Sequence, residues 1–178
     1  MKKTLSLWQL AGFTFAMVLG TVLHFLYGWT GSIAVTPFSA VNESTWEHMK
    51  ILFFPTLLFA GIQSRFFKKE YKNFWKIKTV GILLGVVGIP VLFYTYSGAI
   101  GTPPAWLNVL FFFLAGGLAY LWEWRAFQKV DGSHKGSFFA VLLLIGIAAA
   151  FVVFTYLPPT LPLFQDPVTG GYGLVVAY

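Results

Sequence analysis

The chain has 178 residues, of which 57% are hydrophobic, 20% aromatic and only 10% charged, with no cysteine and a net charge of +6. A soluble domain keeps its surface wet with about 25% charged residues, so this composition excludes one, together with a disordered tail and a disulfide scaffold. The missing cysteines also exclude thiolate nucleophiles and Cys-ligated zinc or iron–sulfur centres.

Five stretches qualify as membrane-spanning helices, each needing about 20 mostly apolar residues: 5–29, 51–67, 78–98, 105–127 and 137–156. Runs such as Val109–Leu114 do not alternate between polar and apolar residues as a membrane β-strand would. The expected fold is therefore an all-α integral membrane protein, a bundle of five transmembrane helices. The first stretch follows Lys2 and Lys3 as a signal peptide would, but its apolar run is too long and lacks an Ala-x-Ala site, so a retained helix is expected. Pro55 and Pro90 are expected to kink the second and third helices and open space between them.

Threading the chain through five spans puts eleven of the twelve basic residues on one side, with only Lys50 on the other. The positive-inside rule then predicts a cytoplasmic N-terminus and an extracytoplasmic tail over 158–178. The charge reflects this topology and anionic lipid, not nucleic acid. Pro158, Pro159, Pro162 and Pro167 bar a regular helix from the tail. It is nonetheless rich in Leu, Phe, Val and Tyr, and is expected to pack on the bundle.

Ionisable residues are expensive in hydrocarbon and so mark function. Glu70, Asp131 and His134 fall in basic connections and solvate them. Glu123, near the inner end of the fourth helix, is expected to reach the interface or pair with a basic neighbour such as Arg65 or Lys78. The remaining set is His24, Glu43, Glu47, His48 and Asp166, all assigned to the outer face. His24 lies on a stripe with Gly12, Ala16, Gly20 and Gly28 at four-residue spacing, the pattern of a close helix–helix contact. It therefore points into the bundle, either as a satisfied buried histidine or as a ligand.

The segment Asn42–Lys50 has two readings. Ser44 and Glu47 form a capping box, with Glu47 also placed to pair with Lys50. Alternatively, Glu47 and His48 line a cavity opposite His24, and His24, Glu47 and His48 hold a divalent metal such as zinc, or an acid–base pair works there. Asp-Pro before glycine at Asp166 is an ordinary turn signature, yet the tail is long enough to carry Asp166 to the mouth of the bundle, with Tyr172 as a cap.

The segments Leu23–Trp29, Ser39–Lys50 with Phe53–Pro55, and Pro159–Gly173 resemble domain of unknown function family 6512, small multi-pass membrane proteins of bacteria. The resemblance spans nearly the whole chain and implies a multi-pass protein of the bacterial plasma membrane, without implying an activity. Two function classes follow from the residues. One is a membrane-embedded enzyme, metal-dependent or acid–base, acting on a lipid or lipid-linked substrate, with Glu43 or Asp166 as acid/base or further ligand. The other is a module that binds or transports a small solute or ion, or a partner subunit of a membrane complex.

Overall fold

The structure is a computed structural model and describes residues 2–129 and 137–174. Asp131, His134 and Lys135 of the expected fourth connection lie outside the described residues, as do the last four residues of the tail and the side chains of Lys2 and Lys3.

Five helices follow one another: α1 (Lys2–Thr30), α2 (Thr45–Phe67), α3 (Phe74–Ala99), α4 (Ala105–Gln128) and α5 (Ser137–Tyr156). By length and composition, α1, α3, α4 and α5 can each cross a membrane. The exception is α2, which carries Glu47, Lys50 and Arg65 and packs against all four others. Most of its surface faces protein, with an exposed stripe at Leu58, Ile62 and Phe66, so on its buried side it can hold paired charges that a lipid-facing helix could not. It also starts six residues before the apolar run that announces it, because the Ser44 hydroxyl accepts the Glu47 amide and caps the first turn.

Small residues set the spacing between helices. Ala16 on α1 is fully buried, and Gly12 lies against the rings of Phe59 and Tyr120. Gly20 meets α2 at a particular place. Pro55 has no N–H, which frees the Ile51 carbonyl from the helix ladder, and a Cβ at Gly20 would sit 2.9 Å from that oxygen. The proline thus exposes a carbonyl and the glycine lets α1 close over it. Gly28, in contrast, has open space beside it, so the stripe works only as far as His24. On the far side, Gly81, Gly85 and Gly88 of α3 approach Glu123, Ala119 and Ala115 of α4.

Two apolar clusters anchor the bundle. One, including Leu5, Phe67, Phe74, Ile77 and Phe127, seals the end that carries the 68–73 connection, here the basic end. The other fills the middle and reaches the opposite, loop end. Between them Lys78 and Glu123 are paired at 2.5 Å with neither side chain exposed, and the Lys78 ammonium also lies 5.1 Å from the Tyr120 ring centre. Lys78, at the start of the expected third span, is therefore inside the bundle. It is the partner of Glu123.

The tail packs on the loop end. Phe164 is buried against Trp46 and Phe154, with ring centres 4.7 and 5.6 Å away. The Asn42 amide donates to the Gly173 carbonyl at 2.8 Å, which ties the tail to the α1–α2 loop.

Candidate functional site

The loop end is organised by one hydroxyl. Ser39, fully buried, donates to the Leu23 carbonyl at 2.6 Å and accepts the Tyr27 amide at 2.9 Å. It bridges two groups one turn apart in α1, the turn that carries His24. The Ala40 amide also donates to Leu23. Further along, the Asn42 side chain accepts the Ser44 amide at 2.9 Å. That turn leaves Glu43 half exposed, facing α1 and α2.

Three side chains converge there. Nε2 of His24 lies 3.5 Å, and Nε2 of His48 3.6 Å, from Oε2 of Glu43. The two imidazole rings are 5.2 Å apart at 66°. The Ser44 carbonyl, 2.9 Å from Nδ1 of His48, can only accept. Nδ1 therefore carries the proton, and in the neutral ring the Nε2 lone pair faces Glu43 and His24. This is the outer hydrogen bond that orients a metal-binding histidine. The His24 imidazole beside it holds the Glu43 carboxyl below its usual range, against the opposing push of partial burial, with His48 adding to the effect.

The separations fit ligation better than hydrogen bonding. At 3.5–3.6 Å the contacts are longer than good hydrogen bonds. Ligands at 2.0–2.1 Å around a tetrahedral zinc stand about 3.4 Å from one another. One ligand atom from each of His24, Glu43 and His48 can be chosen so that all lie within 4.8 Å. Two imidazoles and one carboxylate form a ligand set that catalytic zinc uses, with a fourth position left for water.

Two expected site residues are elsewhere. Glu47, grouped above with the histidines, is buried on another side of α2. Its carboxylate pairs with Lys50 at 2.5 Å and accepts from the Val41 amide at 3.1 Å and the Thr155 hydroxyl at 3.3 Å. Lys50 also donates to the Thr36 carbonyl and to Thr155, so this network bolts the loop and α5 onto α2. Ser44 serves as the cap, but Glu47 reaches back to Val41 instead of Ser44. Asp166 is consumed by its own turn. Its two oxygens accept from the Val168 amide at 2.9 Å and the Thr169 hydroxyl at 2.8 Å. The residues after it, Pro167 and Val168, are what reach the cavity.

That cavity has two lobes sharing Glu43, His48, Asn108 and Phe112. One, of about 460 Å³, lies under Pro167 and Val168 of the tail and beside α3. The other, of about 270 Å³, includes His24 and runs between α1 and α4. Asn108 went unremarked in the sequence. Its Oδ1 is buried without a hydrogen-bond partner, as is Nδ1 of His24. The only signal was a single amide in the first turn of α4, whose first half is otherwise apolar.

The model of the Family of unknown function (DUF6512) matches residues 1–174. The chain belongs to this family. No curated protein and no solved structure matches it. The match takes in all three segments quoted for the resemblance, including every residue of the cluster and the described part of the tail.

Proposed function

We propose that this family member is a membrane-embedded, zinc-dependent enzyme of the bacterial plasma membrane, with its site at the outer leaflet and a lipid or lipid-linked substrate. The carrying observation is the disposition of His24, Glu43 and His48, with two Nε2 atoms at 3.5 and 3.6 Å from one carboxylate oxygen at the head of a cavity. Four apolar helices support insertion in a bilayer. The basic residues gather at the end opposite the cluster, which favours a loop end facing outward.

In this reading His24, His48 and Glu43 would hold the metal, which would supply an activated water and Lewis acidity toward a substrate carbonyl or phosphoryl oxygen. Glu43 replaces Glu47 as the carboxylate ligand. Glu47 and Asp166 shape the walls.

The test is zinc content of the purified full chain, together with its hydrolysis of a panel of lipid esters, amides and phosphates. Wild type should hold one zinc and His24→Ala, His48→Ala and Glu43→Gln should each lose it, while Glu47→Gln keeps it. A chain that takes up no zinc, or that binds it equally well in all four variants, contradicts the proposal. Zinc bound without turnover of any lipid would favour a cation-binding module instead.

A further inference from the structure

The seam between α1 and α4 carries two hollows. The first is the lobe beneath the cluster, bounded by Gly20, His24, Phe25, Val109 and Phe113. The second, about 390 Å³ near the basic end, is bounded by Leu10, Phe13, Gly117, Leu121 and Trp124, with Gln9 and Tyr120 at its floor. Val109, Phe113, Gly117 and Leu121 follow at four-residue intervals and make one ridge of α4. Between the hollows the rings of Phe13 and Phe113 meet edge to face at 6.5 Å. Gly117 keeps the passage beside them shallowly open: a Cβ there would find only Phe13, at 3.9 Å. Leu10, Phe25, Val109, Phe113 and Leu121 are all exposed, so the seam opens sideways along its length.

The seam is polar at one end and apolar below. Its head holds the two imidazoles, Glu43 and the unpartnered Asn108 Oδ1, which needs a donor. Lower down, the polar atoms of Gln9 and the Tyr120 hydroxyl are buried and the Trp124 indole N–H donates to the Ser6 hydroxyl, so carbon makes up most of the lining. From Ser6 to His24, α1 rises about 27 Å, close to the ~30 Å thickness of bilayer hydrocarbon. A phosphate head would meet no basic side chain among the described residues lining this lobe, and Lys50, at this end of the bundle, is tied to Glu47.

We infer that the α1–α4 seam binds one neutral, hydroxyl-bearing lipid lengthwise, with its head under the His24–Glu43–His48 cluster and one hydrocarbon chain running down to Trp124. This rests on the cluster being the site and names the class of substrate it takes. The hydroxyl donates to Asn108 Oδ1, and the chain lies over Phe113, Gly117 and Leu121.

The experiment uses the full chain in phosphatidylcholine nanodiscs with a monoacylglycerol bearing a diazirine at the chain end, and with the lysophosphatidylglycerol of the same chain. Photolabelling by the monoacylglycerol should concentrate on residues 10–13 and 117–124, at least tenfold above the phospholipid probe. Gly117→Trp should cut it at least tenfold while zinc content stays at the wild-type level. Leu10→Trp, on an exposed position of the same hollow, should do likewise and serves if Gly117→Trp does not fold; Leu84→Trp on α3 should change nothing. Label spread evenly over α3 and α5, equal label from the phospholipid, or indifference to both seam tryptophans overturns the inference. If the seam labels as expected but wild type holds no zinc, the metal reading falls and the seam stands. If zinc binds and the seam does not label, only the seam falls.

Discussion

Two glutamates four residues apart, Glu43 and Glu47, divide the work at the loop end. Glu47 is structural: its removal would strand Lys50, a fully buried ammonium. Breaking one partner of such a pair costs about 3–5 kcal/mol, whereas an apolar replacement of both is far milder. Glu47→Ala should therefore lower the melting temperature of the purified protein sharply, and Glu47→Leu with Lys50→Met should recover most of the loss. A Glu47→Ala melt equal to wild type would show that the pair carries nothing. Glu43 is half exposed, and its lowered pKa gives the sign of its pH dependence. A carboxyl held below its unfolded value contributes stability above that value and loses it as pH falls through the folded one. The melting gap between wild type and Glu43→Gln, both metal-free, should be present above about pH 5 and shrink as pH falls further. A gap that widens in acid contradicts this.

At the scale of elements, α1 and α2 are positioned by groups that do not look like helix signals. Ser39→Ala leaves the Tyr27 amide without its acceptor, a loss of about 1–3 kcal/mol for a buried donor. It also unties the 31–44 loop from the turn of α1 that carries His24, so zinc affinity should fall although no ligand has changed; unchanged affinity and stability would remove Ser39 from the design. Gly81→Ala tests the other interface. A Cβ there would collide with Cγ and Oε1 of the buried Glu123, and overpacking of this kind costs about 1–3 kcal/mol. The helices themselves were legible, because uninterrupted apolar runs have few other solutions. Ser44 as a cap and the close packing of α1 through Gly20 against a neighbour were legible too, being local patterns. The site was only half legible. Four-residue spacing turned His24 inward, and His48 had no local role, but choosing between Glu43 and Glu47 required the path of the 31–44 loop. That path depends on Ser39 bonding to Leu23 and Tyr27 of α1 and on Val41 reaching Glu47, contacts with no periodicity to betray them. Asp166 sits in the turn that its Asp-Pro signature announces, each carboxylate oxygen accepting one hydrogen bond within that turn.

For the molecule as a whole, the two ends differ in chemistry: a basic end closed by aromatic packing, and a loop end with a metal-ready cluster over a sideways-opening seam. The absence of native cysteine makes the proposed orientation easy to test. In intact cells, Ser32→Cys should react with a membrane-impermeant maleimide, whereas Lys69→Cys should react only after permeabilisation; the opposite pattern would invert the topology. The cluster itself is best examined by X-ray absorption at the zinc edge on the loaded wild-type chain. Two imidazole nitrogens and one or two oxygens at about 2.0–2.1 Å, one nitrogen lost in His48→Ala and none in Glu47→Gln, is the expected shell; bound zinc without imidazole in its shell, or no bound zinc, would contradict a metal centre built from His24, Glu43 and His48.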